Sequence, residues 1–163
     1  MPVTPLLKPE ISALFEKALA AELHASNLYK HIANQLQRLG FFGAQSYYLK
    51  ESAEELTHYG IIAEHLNNMG SVACVPEVPR MADVIMSISD ALEVSYETEV
   101  ALMNQYNEFY EFAEENEDHI TEVFLNQFIL IQVKSVGVYA DLISRLSLGG
   151  DIFVFDKEMS KLA

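Results

Sequence analysis

A chain of 163 residues, half of them apolar, is one domain's worth of globular protein rather than a disordered segment. Its formal net charge of −14 opposes adsorption to nucleic acid or anionic lipid and favours the attraction of cations. Cys74 is the only cysteine, which excludes an intramolecular disulfide, a CxxC zinc site and an iron–sulfur cluster.

The opening "MPVTPLLKPE" has neither the charged start nor the long apolar run of a leader. Five prolines, at 2, 5, 9, 76 and 79, leave two long stretches free for helices. Pro9 suits a first helical position, with Glu10 at the positive end of the dipole. From there Ile11, Leu14, Phe15, Ala18, Glu22, Ala25, Tyr29 and Ile32 follow a helical stripe, giving a helix over 9–38 that stops near Gly40. A second helix is expected over 41–68, stopped by "NNMGS", and 69–88 reads as a long connection holding the last two prolines. The third, over 90–116, begins with Asp90 and Glu93 as a capping box. Its inward stripe is Leu92, Tyr96, Glu99, Leu102 or Met103, Tyr106, Tyr110 and Ala113. A fourth covers 119–146 and is ended by "LGG". The most apolar stretch within it, "VFLNQFILIQV", is too short to span a bilayer and carries Asn126 and Gln127. A short amphipathic helix over 152–161 closes the chain. The acidic run "EFAEENEDH" reads as a solvated helix end.

No strand pattern, low-complexity tract or second domain is visible, so 1–163 is expected to be a single all-α domain. Helices of ~25 residues are each roughly 40 Å long. Short loops join the first to the second and the third to the fourth, and the long link between pairs is a crossover. That is a four-helix bundle with one long crossover plus a short C-terminal fifth helix. Gly60 and Gly137 fall in helix interiors at a cost of about 1 kcal/mol each, and close helix contact is the expected compensation.

Four helices each carry a polar interruption near the middle. Glu22 and Glu99 lie within apolar stripes, where an unpaired charge costs several kcal/mol. Glu55 and His58, three apart in "EELTHYG", share one helix face with Ile62. Gln132 stands among Phe128, Val136 and Tyr139. Taken singly, each has a plain reading: a partly exposed Glu, a hydrogen-bonded core His, an amide bonded to backbone. Their spacing joins them. Glu22 and Glu55 are 33 residues apart, and so are Glu99 and Gln132, which sets both pairs at matching depths about an approximate two-fold. Three carboxylates, an imidazole and an amide suit iron or manganese better than a thiolate-seeking metal. The remaining histidines, at 24, 31, 65 and 119, lack such company and are expected at the surface or in loops.

With those residues in place the chain resembles a ferritin subunit over nearly its whole length. The likeness runs from "LLKPEISALFEKALAAELHASNLY" through "ESAEELTHYG" and "QVKS" to "FDKEMSKL". It implies a ferritin-like fold, a cytoplasmic homo-oligomeric cage of 24 subunits and a di-iron ferroxidase centre that oxidises Fe2+ with O2 or H2O2. One iron would sit on Glu22, Glu55 and His58, the second on Glu55 and Glu99 with Gln132 beside it, and Tyr29 would lie next to the pair. No nucleic acid or membrane partner is implied. Gln132 and Ser135 of "QVKS" replace the second Glu-x-x-His of a symmetric di-iron site, and Leu56 stands where bacterioferritins place a haem-binding methionine, so no haem is expected. A third iron site built on Glu54 would lack its partners, since Ile131, Lys134 and Ser135 replace carboxylates. Thr57 and Gly60 replace acidic residues of the inner surface, and Leu125 replaces the acidic neighbour of Glu122 in the entry channel. The competing functions are a storage subunit without catalysis and a di-iron oxygenase acting on an organic substrate.

Overall fold

A computed structural model describes residues 4–163; Met1, Pro2 and Val3, the start of the stretch read for a leader, lie outside it. In chain order the elements are α1 (Pro9–Leu39), α2 (Phe42–Asn68), α3 (Ile88–Glu115), α4 (His119–Ser147) and α5 (Ile152–Met159), with no strand among the described residues. α1 packs along α2 and α3 along α4, and the two hairpins meet where α1 faces α3. α5 lies against α2.

The boundaries follow from local chemistry. Pro9 opens α1, and Gly40, at φ 88°, closes it in the left-handed conformation. The Phe41 N–H then reaches back to the Leu36 carbonyl at 3.0 Å. α3 starts two residues earlier than expected because Ser87, not Asp90, is the cap: its side chain accepts from the Asp90 N–H at 3.1 Å. Asp90 in turn accepts from the Met86 N–H at 2.9 Å, and Glu93 bonds the Ser89 hydroxyl instead of closing a box. The acidic run does end a helix: Glu117 turns the chain at φ 55° and Asp118 caps α4.

α5 is fastened by charge as well as by packing. The Asp156 carboxylate accepts from the Gly43 and Ala44 N–H groups at 3.1 and 2.8 Å, so an anion sits on the open N-terminus of α2. Position 43 has no room for a side chain, since a Cβ there would lie 1.9 Å from the Asp156 carbonyl oxygen.

Two apolar clusters fill the bundle. One gathers Tyr29, Tyr47, Tyr48 and Tyr139 with Leu36, Leu92 and Phe155. The other gathers Phe15, Phe109 and Phe128 with Tyr106, Ile62 and Leu125. Three expectations are corrected here. Ser95 and Phe109, not Tyr96 and Tyr110, face inward on α3, because 3.6 residues per turn favours those steps over a strict count of four. Gly60 and Gly137 face open space, so no helix contact compensates them. His65 is half-buried on α2, stacked on Phe124 at 4.0 Å between centroids rather than held in a loop. α4 as a whole meets the length and composition of a bilayer-crossing helix, as an apolar bundle helix also can, and this does not contradict the reading of its central stretch as too short to span. Much of that apolar surface is uncovered: Ile120, Val123, Leu130 and Val133 are 58–73% exposed on this chain.

Candidate metal centre

α1 and α2 bring Glu22, Glu55 and His58 together between the two apolar clusters. His58 Nδ1 lies 2.8 Å from Glu55 Oε2 and 3.6 Å from Glu22 Oε2. One ligand atom from each of the three falls within 4.8 Å of the others, close enough to hold a metal ion. The i, i+3 spacing of Glu55 and His58 on a straight helix aims both side chains at Glu22. Both Glu22 and Glu99 are fully buried, and Glu99 stands outside that tight group, on α3.

A crossed pair of tyrosines ties the glutamates of α1 and α3 into one frame beside Glu55 and His58 of α2. Tyr29 on α1 donates to Glu99 on α3, and Tyr106 on α3 donates to Glu22 on α1. Each tyrosine lies seven residues beyond the glutamate of its own helix and bonds the glutamate of the other. From the sequence Tyr106 reads as an ordinary stripe residue, although the Glu-x6-Tyr spacing of "ELHASNLY" recurs in "EVALMNQY" and carries the signal.

The charges of this frame ask for a cation. Burial pushes the Glu55 carboxyl well above the usual range, and neighbouring Glu22 and Glu99 push it further. Burial likewise raises Glu99, against the hydrogen bond from Tyr29, which lowers it. Burial disfavours a charged His58, but the neighbouring Glu22 carboxylate and the hydrogen bond to Glu55 outweigh that and hold it protonated. Without a metal the group therefore retains protons that a divalent ion would displace. The acceptors also fit. Glu22 Oε2, Glu99 Oε2 and Gln132 Oε1 are buried acceptors with no hydrogen-bond partner among the described residues, and the Gln132 Nε2 donor is likewise unpaired. Gln132, fully buried on α4, is otherwise unconnected to the frame.

A cleft of about 320 Å³ between α2 and α4 opens onto His58, with Glu51, Glu54 and Lys134 on its walls. Glu54 pairs with Lys50 at 3.7 Å. Glu51, one turn before Glu55, carries no distinguishing pattern in the sequence. It accepts a hydrogen bond from the Tyr139 hydroxyl at 3.1 Å, and burial raises its carboxyl, with Glu54 adding to the effect. At the far end of α4, Glu122 bonds His119 at 3.2 Å while Leu125 is buried inside the chain.

Comparison with known proteins agrees with this architecture. A family model described as a ferritin-like domain matches residues 12–148. A probable bacterial non-heme ferritin-like protein of Haemophilus influenzae is 24% identical, over 97% of this chain and 98% of that protein. A bacterial non-heme ferritin of Escherichia coli is 26% identical, over 96% and 98% respectively. The open-pore ferritin of Archaeoglobus fulgidus superposes with a TM-score of 0.91 at 23% identity, covering 94% of this chain and 96% of that one. The chain belongs to the ferritin family of iron-storage proteins.

Proposed function

We propose that this protein is a ferroxidase: it oxidises Fe2+ with O2 or H2O2 at a paired site and deposits the ferric product inside a cytoplasmic homo-oligomeric shell of 24 copies. The observation that carries the reading is the buried Glu22, Glu55 and His58 group, whose three ligand atoms lie within 4.8 Å of one another. Glu22, Glu55 and His58 hold one Fe2+. Glu55 and Glu99 hold the second, Glu55 being shared, and Gln132 offers its amide oxygen nearby. Carboxylates and one imidazole form the oxygen-rich set that suits iron. Tyr29 and Tyr106 orient Glu99 and Glu22, so the carboxylates meet the ions already aimed. With dioxygen the balance is 2 Fe2+ + O2 + 2 H+ → 2 Fe3+ + H2O2. Holding both electron donors side by side delivers two electrons in one encounter.

The test is stopped-flow absorbance after two Fe2+ per subunit are mixed with the iron-free protein in air. A fast rise is expected, reduced to the rate in buffer by Glu22→Ala and by His58→Ala. A wild-type trace no faster than buffer would leave a storage subunit without catalysis.

A further inference from the structure

Tyr29 is not isolated beside the carboxylates. Its ring centroid lies 5.9 Å from that of Tyr48 and 6.2 Å from that of Tyr139. Tyr48 and Tyr139 stack at 6.5 Å, and Tyr47 sits 5.4 Å from the first and 6.2 Å from the second. All four rings are buried and within the distance at which aromatic rings touch. Tyr48 shares a hydrogen bond with Ser95 at 2.9 Å, and Tyr139 donates to Glu51 on the wall of the cleft, which Tyr47 also lines. Tyr106 has no such company: it stacks on Phe128 at 5.0 Å, and Phe128 packs on Phe124 at 5.3 Å. Phenylalanine is far harder to oxidise than tyrosine, so a missing electron on Tyr106 has nowhere to go.

We propose that Tyr29, Tyr48, Tyr139 and Tyr47 form a relay that carries an oxidising equivalent from a half-loaded iron site to the cleft at Glu51. The relay rests on the ferroxidase reading and concerns the case in which a single Fe2+ meets hydrogen peroxide. Peroxide needs two electrons and one Fe2+ supplies only one; a phenol supplies the other, so no hydroxyl radical is released. The net step is Fe2+ + H2O2 + Tyr139–OH + Glu51–COO− → Fe3+ + 2 OH− + Tyr139–O• + Glu51–COOH. The O–O bond breaks, iron and tyrosine each lose one electron, and the phenolic proton passes to the carboxylate. Tyr29 is the conduit: it gives an electron to peroxide and regains one from the outer rings, its proton staying within the hydrogen bond to Glu99. Burial holds Tyr139 as the neutral phenol, which must shed its proton when oxidised, and Glu51 is the acceptor in place.

The experiment loads one Fe2+ per subunit without oxygen, adds hydrogen peroxide and freezes the sample for electron paramagnetic resonance, with a spin trap run in parallel. The wild type should give a phenoxyl signal and little hydroxyl-radical adduct. Tyr47→Phe/Tyr48→Phe/Tyr139→Phe should lose the outer-ring part of the signal and raise the adduct severalfold; Tyr96→Phe should change neither. Glu51→Gln keeps every ring and should also shrink the Tyr139 component, which guards against a packing defect in the triple variant. An unchanged signal and adduct in both variants overturns the relay. Fe3+ formed at the normal rate with no outer-ring radical in the wild type overturns the relay alone. No Fe3+ in the wild type overturns it together with the ferroxidase reading.

Discussion

On one side of the buried carboxylates the core is built of tyrosines, and on the other of phenylalanines. The polar frame between them is nearly symmetric, with Tyr29 on Glu99 mirrored by Tyr106 on Glu22. Its surroundings are not. The tyrosine side keeps hydroxyl groups in a dry interior: those of Tyr48 and Tyr139 find partners in Ser95 and Glu51, and that of Tyr47 has none among the described residues. The phenylalanine side asks for nothing but shape: Phe15 meets Phe109 and Phe124 edge-on at 4.8 and 5.3 Å. A two-fold arrangement of ligands can thus be embedded in walls with different chemistry, one able to move electrons and protons and one only able to pack.

The largest expected effect belongs to the packing side. Phe15→Ala should cost ~3–5 kcal/mol, read as a fall in the thermal midpoint of the iron-free protein. A loss no greater than that of a surface change would show that this cluster does not hold the bundle. On the tyrosine side, Gly43→Ala forces a methyl into the Asp156 carbonyl and should cost roughly 1–3 kcal/mol by prising α5 from α2. Tyr29→Phe and Tyr106→Phe each deprive a buried carboxylate of its donor, and both should cost roughly 1–3 kcal/mol in denaturant titrations. Equal losses would confirm that the frame is symmetric in energy; only Tyr29→Phe should also abolish the phenoxyl signal.

Proton linkage gives a graded effect. Glu55, Glu99 and His58 all hold protons more tightly folded than unfolded. The folded iron-free chain therefore binds the extra protons, and its stability falls as pH rises from the ordinary carboxylate value of 4.5 toward about 10, where His58 loses its proton last. Anaerobic Fe2+ should flatten that slope and raise the midpoint most at the alkaline end. A midpoint that climbs with pH in the metal-free protein would contradict the sign. The smallest effect, a gain of about 1 kcal/mol each, is expected for Gly60→Ala and Gly137→Ala, because both positions face open space.

Most of the frame was legible because burying a charge is costly: Glu22 and Glu99 stand out on apolar stripes, and Gly40 and the prolines mark where helices end. What stayed hidden depends on direction within a helix rather than on residue type. Ser95 and Tyr96 are neighbours in sequence, and only the true helical twist decides which faces Tyr48. Tyr106 looks like core because a tyrosine ring is core; its hydroxyl acts on Glu22 at a separation of 84 residues, which no local pattern records. Glu51 resembles any exposed helical glutamate until α4 supplies Tyr139. The cap at Ser87 is masked in the sequence by Asp90 and Glu93, whose spacing imitates a capping box.

The bare apolar side of α4 bears on how a copy fares alone. Ile120, Val123, Leu130 and Val133 offer water a surface that dilution does not make less adhesive. A solitary copy is then the state most prone to clumping, and its resistance to heat should climb with protein concentration, since each added neighbour pulls the equilibrium toward the folded form.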